Sequence, residues 1–380
     1  MVRSAGRLRV AVDAVPLVDT RTGVGRFEDE VLRRLSASGE LAIVAFGWAP
    51  GGRAAMEAAV PPGVRVARWP MAGPQFRFCW RRIPFPPIEA VTGPVDVVHG
   101  PNFVVPPAWR AAEVVTVHDL TILRYPELCT PDTLQFPELL RRSLRRGAWV
   151  HTVSEHVAAE VVEILGADPE RVVPIPNGVT SVGEGDPTDG QRLAGGDRYV
   201  LALGTVEPRK DLPRLVQAFD TVADTDRDLR LVIAGPDGWG ADALTAAIAA
   251  SGHRDRIVRL GWVDEAARVA LLRGATVVAY PSIYEGFGLP PLEAMSAGTP
   301  VVTTNAGAIP EVVGDAAVLV PPRDTSALAV ALGTVLHDEA LAARLRAAGL
   351  RRAAGFSWER TAHGLAGLYR RAAEARQGHA

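Results

Sequence analysis

Short runs rich in valine, isoleucine, leucine and alanine recur along the chain, separated by stretches where apolar residues return every three or four positions. In the first half the runs are "LRVAVDA" (8–14), "LAIVAFGW" (41–48), "VDVVHG" (95–100), "EVVTVHD" (113–119), "WVHTVS" (149–154) and "RVVPIP" (171–176). In the second half they are "YVLALG" (199–204), "LRLVIAG" (229–235), "RIVRLGW" (256–262), "ATVVAYP" (275–281), "PVVTT" (300–304) and "AAVLVP" (316–321). They are continuous rather than alternating, which suits parallel strands covered on both faces by helices. Each half therefore reads as an open α/β sheet of the doubly wound, Rossmann-like type. The polar, glycine-rich stretch 177–198 is the linker candidate between them. The tail "FSWERTAHGLAGLYRRAAEARQ" has helical periodicity, with Trp358, Leu365 and Leu368 on one face. The expected division is 1–183, 184–355 and a closing helix over 356–380.

Composition adds limits. At 380 residues the chain exceeds one comfortable core, so two domains are the default. Forty-one cationic against 43 acidic residues argue against a general nucleic-acid binder. No apolar run reaches the ~18–20 residues that span a bilayer. The start, "MVRSAGRLRVAVDAV", enters a strand-like run with no long apolar region or cleavage site, so a cytoplasmic location is expected. Cys79 and Cys129 form neither a metal pattern nor a disulfide framework. One count is pointed: all the cationic residues but one are arginine, and the exception is Lys210. Either arginine bias spared one lysine, or that site needs a compact ammonium.

In doubly wound sheets ligands bind beyond the carboxyl ends of the strands, so the loops there hold the candidate chemistry. "TGVGRF" brings Gly23 and Gly25 ahead of a helix, a place that suits an anion. With Glu28 in place of a third glycine it is not a dinucleotide fingerprint. His118 and Asp119 follow the strand at 113–117; His99, His151 and Ser154 have bland readings, Ser154 as a helix N-cap. Arg209 and Lys210 stand at a strand-to-helix turn, suited to clamping a diphosphate. The densest signal is "SIYEGFGLPPLE": Glu285 on a loop, then a helix that opens at Pro290 and Pro291 and carries Glu293 in its first turn. Gly286 and Gly288 let backbone approach a ligand, and a carboxylate can take the two hydroxyls of a ribose.

With "GTVEPRKD", "VHDL", "TVSE", "PNGV" and "GTPVVTTNAGAIPEVVG", this E-x7-E block resembles the retaining glycosyltransferases of family four, over essentially the whole chain. The resemblance implies the GT-B fold, two Rossmann-like domains facing a central cleft: an acceptor domain, a nucleotide-sugar donor domain, and a final helix crossing back to the first. It implies that Glu293 binds the ribose of the donor and Glu285 meets the transferring sugar. Arg209 and Lys210 neutralise the diphosphate, helped by backbone N–H groups over Gly286, Phe287, Gly288 and Leu289. His118 reaches the sugar, Gly23 and Gly25 lie along the phosphates, and Asp119 and Asn102 stand on the acceptor side. The base pocket is expected at 261–263, with Val263, and at 235–238. Thr205 follows Gly204 where many relatives carry arginine, as in a mannosyltransferase-like branch; GDP-mannose is the favoured donor. No metal or other cofactor is expected, the Arg–Lys pair standing in for a cation.

The expected acceptor is a glycan, a lipid-linked sugar or a small molecule. The alternatives are a nucleotide-sugar epimerase or phosphorylase on the same fold, and a non-catalytic nucleotide-sugar binding subunit. "PQFRFCWRRIPFPP" (74–87) mixes aromatics with arginines and reads as peripheral contact with the inner membrane face, as an acceptor-pocket wall, or as packing.

Overall fold

The computed structural model describes residues 7–18, 23–48, 51–67, 79–80, 82–183 and 185–378. They fall into two compact units, Met1–Gly178 with Ser357–Ala380, and Val179–Phe356. The division lies ahead of the boundary at 183 read from the sequence, because the chain up to Pro176 is bonded into the first unit: Pro176 accepts from Thr361 Oγ1 at 2.7 Å. Nor is 177–198 all linker. Asp186 accepts from Thr188 N at 2.9 Å and caps a helix, Pro187–Ala194, which packs on the helix Glu265–Gly274.

The first unit is built on β1 (Leu8–Asp13), β2 (Leu41–Phe46), β3 (Arg65–Val66), β4 (Val97–Gly100), β5 (Ala112–Val117), β6 (Trp149–Thr152) and β7 (Val172–Pro174). Their order is β3-β2-β1-β4-β5-β6-β7, and every pairing is parallel. The second unit has β8 (Tyr199–Leu203), β9 (Arg230–Ala234), β10 (Ile257–Gly261), β11 (Val277–Tyr280), β12 (Val301–Thr304) and β13 (Val318–Val320), ordered β10-β9-β8-β11-β12-β13 and again all parallel. Only β3 had no counterpart among the apolar runs; two residues are too short to make one. The central strands are buried on both faces, which is why they read as unbroken hydrophobic runs, whereas β10 at the edge is half-buried throughout.

Both sheets reverse direction at one place: between β1 and β4 in the first, between β8 and β11 in the second. Crossovers leave these two neighbouring strands toward opposite sides, so the loops at their carboxyl ends part and open a crevice. In the second unit those loops are the one carrying Arg209 and Lys210 and the one carrying Glu285.

The last helix, Trp358–Gln377, belongs to the first unit, capped by Ser357, whose side chain accepts from Arg360 N. It packs on the helix Gly23–Ser38 and on β4 and β5, burying Trp358, Leu365, Leu368 and Tyr369. Among the described residues no single helix is long and apolar enough to cross a membrane. Of the stretch 74–87, residues 74–78 and 81 lie outside the described residues; beyond them Ile83 and Phe85 are exposed.

Candidate active site

β8 delivers the chain to a loop that closes in a 3-10 turn, Pro208–Lys210, before the amphipathic helix Leu212–Ala223. β11 delivers it to the loop 281–288, buried throughout. Ile283 N donates to Arg209 O at 2.9 Å, and Arg209 Nη1 donates to Tyr284 O at 2.9 Å, so one backbone bond and one guanidinium bond stitch the two loops together. This stitching brings three side chains onto one point. Glu285 Oε1 lies 2.6 Å from Arg209 Nη1 and 2.7 Å from Lys210 Nζ, and accepts from Tyr280 Oη at 2.9 Å.

The cluster is dry: the side chains of Arg209, Lys210 and Glu285 are at most 15% exposed. Burial pushes the Glu285 carboxyl up, but the two cations outweigh it and hold it down at about 2. Burial lowers Lys210 below the usual lysine range, against the pull of Glu285, and raises Tyr280 well above the usual phenol range. At neutral pH the site thus holds an ionised carboxylate, two cations and a neutral phenol, the charge set that can receive an anion carrying hydroxyls.

Glycine makes the approach. A Cβ on Gly307 would stand 2.2 Å from Glu285 O, the same carbonyl that accepts from Ala308 N at 2.8 Å. Gly288 has φ +103°, which turns the loop into the helix Leu289–Ser296. That helix opens one residue ahead of Pro290, and this corrects the expected place of Glu293: it falls in the second turn, away from the helix N-terminus. Its partner is a cation instead. Arg268 Nη1 donates to Glu293 Oε2 at 2.7 Å and Nη2 donates to Glu265 at 2.6 Å. Of the other expected donor residues, Phe287 is buried and meets Phe356 edge-on at 5.8 Å, while Leu289 and Val263 are half-buried. Gly235 N donates to Gly261 O at 2.7 Å, tying together the chain after β9 and the end of β10.

In the first unit His118 follows β5 and its Nε2 pairs with Pro101 O at 2.7 Å, between Phe27 (5.3 Å) and Phe103 (6.5 Å). Burial lowers its pKa, against that carbonyl. Asp119 accepts from Thr121 N at 2.8 Å, and Asn102 O accepts from Val104 N at 2.7 Å. Gly23 and Gly25 do not precede the helix, as the loop reading had it, but form its first turn; a Cβ on Gly25 would stand 2.6 Å from Pro16 O. Ser154 is the N-cap, accepting from Val157 N at 3.1 Å. His99 and His151 are interior, linked through Thr116.

Three residues had no signal in the sequence reading. Tyr280 ends a strand as any apolar residue could; Arg268 is one arginine among many; Glu28, now 1% exposed, was noted only for not being glycine.

Residues 21–181 match the model described as Glycosyltransferase Family 4, and residues 188–352 match Glycosyl transferases group 1. The O-antigen chain mannosyltransferase B of Escherichia coli is 34% identical over 69% of this chain and 71% of its own length. The D-inositol 3-phosphate glycosyltransferase of Nocardia farcinica is 34% identical over 69% of this chain and 61% of its own length. Among solved structures, sucrose-phosphate synthase from Thermosynechococcus elongatus superposes with a TM-score of 0.76 at 20% identity, over 96% of this chain and 99% of that one. The two parallel-sheet units are those of the GT-B fold. The chain belongs to the family-four glycosyltransferases and is a glycosyltransferase, with relatives named as mannosyltransferases.

Proposed function

We propose that the chain transfers a hexose from a nucleoside diphosphate sugar to an acceptor hydroxyl with retention at the anomeric carbon, without a metal ion, and that the favoured donor is GDP-mannose. The observation that carries this is the buried Arg209–Lys210–Glu285 cluster at the switch point of the second sheet. As the sugar departs, negative charge builds on the diphosphate and positive charge on the sugar ring. Two fixed cations oppose the first, by about several kcal/mol when preorganised. The Glu285 carboxylate serves the sugar side by accepting its hydroxyls. In the retaining step the anomeric carbon–oxygen bond breaks toward the diphosphate and the acceptor oxygen bonds on the same face. The departing phosphate oxygen takes the acceptor proton, so no protein base is required.

Glu293 is assigned to the ribose, with Arg268 orienting the carboxylate through a hydrogen bond. His118 is assigned to the sugar, as the neutral imidazole that its burial favours. The mannose assignment is supported by the relatives named as mannosyltransferases and by Thr205 after Gly204. A glycan, a lipid-linked sugar or a small molecule remains the acceptor class, in a cytoplasmic setting with peripheral membrane contact through 74–87.

The test is thermal-shift binding across GDP, UDP, dTDP and ADP and their hexose conjugates, then transfer followed by NMR of the product anomer. Stabilisation by GDP and GDP-mannose, with an α-mannosyl product from the α-linked donor, is expected. Stabilisation by another nucleotide alone would move the donor assignment, and an inverted anomer would end the retaining mechanism. Conversion of the donor without acceptor would favour an epimerase.

A further inference from the structure

Tyr280 is the last residue of β11, 3% exposed, and it touches both ends of the ion pair it stands beside. Its hydroxyl donates to Glu285 Oε1 and accepts from Lys210 Nζ, and the same ammonium lies 4.4 Å from its ring centroid. The tally on Glu285 is lopsided. Arg209, Lys210 and Tyr280 all converge on one oxygen, Oε1. Lys210 has three N–H bonds: one points to Tyr280 and one to Glu285, which leaves one. Packing alone does not call for a phenol here, since a phenylalanine would fill the same volume. A buried hydroxyl costs stability unless it is paired, and this one is paired to the two charged groups of the cluster.

Resting on the glycosyl-transfer reading above, we propose that Tyr280 is a positioning residue: it pins Oε1 of Glu285 and one proton of Lys210. Oε2 is thereby left for a sugar hydroxyl and the third ammonium proton for a phosphate oxygen. Without the phenol the carboxylate can rotate about its last bond and the ammonium about its stem, so both must be reordered in the transition state. Binding of the nucleotide itself, which draws on other contacts, is little affected.

Lys210 allows this to be measured apart from turnover. It is the only lysine in the chain, so lysine labelled with carbon-13 at Cε gives one side-chain signal, from this site. In Tyr280→Phe the ring and its packing stay, and the ammonium loses an acceptor. The midpoint of the Lys210 titration is then expected to fall by about half a pH unit. In the same variant kcat is expected to fall about three- to tenfold, with KM for the donor and the melting temperature nearly unchanged. A purely structural role would move the melting temperature and leave the Lys210 midpoint alone. Wild-type kcat together with an unmoved midpoint in Tyr280→Phe overturns the proposal. If the midpoint moves but the wild type transfers no sugar from any donor, the pinning stands and the glycosyl-transfer reading is what fails.

Discussion

At the residue scale the chain places a few groups where their surroundings are costly, and Glu28 is the plainest. It lies on the helix Gly23–Ser38, 1% exposed, with no hydrogen-bond partner for either carboxyl oxygen among the described residues. Burial raises its pKa well above the usual carboxylate value, and the charges of Asp13 and Asp29 add to that. The native protein therefore keeps a proton that the unfolded chain releases, and its stability falls as pH rises from about 4.5 toward the raised native value. Glu28→Met, similar in length and needing no partner, is expected to stabilise by about 1–3 kcal/mol near neutrality. Chemical denaturation at pH 5 and pH 8 checks this, the gain being larger at pH 8. Lys210→Ala and Glu293→Gln are expected to weaken nucleoside diphosphate binding by about 1.5–3 kcal/mol each, read by calorimetry. The loop bearing Glu285, Gly286 and Gly288 was legible from its letters because glycines, prolines and two carboxylates at that spacing have a chemical use there. Tyr280 and Arg268 were not, because their types are ordinary and only their neighbours make them informative.

At the scale of elements, the twelve apolar runs became strands because continuous hydrophobicity is what burial on both faces requires. Helix starts were less legible. Gly288 moves the start of the helix Leu289–Ser296 ahead of its prolines, and Gly23 joins the helix it was read as preceding. Caps and turns depend on backbone angles, which no residue type sets alone. The helix Trp358–Gln377 buries Trp358, Leu365, Leu368 and Tyr369 in the first unit. Leu365 is wholly buried in it, so Leu365→Ala is expected to destabilise by about 2–5 kcal/mol, measured by denaturant unfolding. The same helix joins a buried polar chain: Tyr369 Oη to His99 Nδ1 at 2.8 Å, His99 Nε2 to Thr116 at 2.8 Å, Thr116 to His151 Nδ1 at 2.9 Å, and His151 Nε2 to Ile175 O at 3.0 Å. Burial drives His99 well below 6.5 and His151 to about 3. Below pH 6.5 the unfolded chain takes up protons that the native histidines refuse, so stability is expected to fall between about 6.5 and about 3. Unfolding curves across that range, with a shallower pH slope in His151→Gln than in wild type, are the check.

At the scale of the whole molecule, two units that share the order of their first six strands carry different parts of the proposed chemistry. Lys210→Ala should therefore lower both nucleotide affinity and turnover. His118→Ala should lower kcat by about 10²-fold or more, leaving nucleoside diphosphate affinity within about twofold. Equal losses of affinity in the two variants would remove His118 from that role. In the proposed mechanism Arg209 and Lys210 supply the charge a divalent ion would, so turnover is also expected to survive prolonged treatment with EDTA.

The order of apolar runs, the switch from one sheet to the next and the E-x7-E block follow from local rules of periodicity and residue chemistry, and the sequence by itself determined them. It determined the α/β class, two sheets, and which loops would matter. The tertiary structure alone decided the partnerships: Lys210 with Glu285 across 75 positions, Arg268 with Glu293 across 25, and Tyr369 with His99 across 270. Parallel strands need long crossovers, so residues that meet at a sheet edge are far apart in the chain. Charge pairing is settled only where those crossovers bring them together.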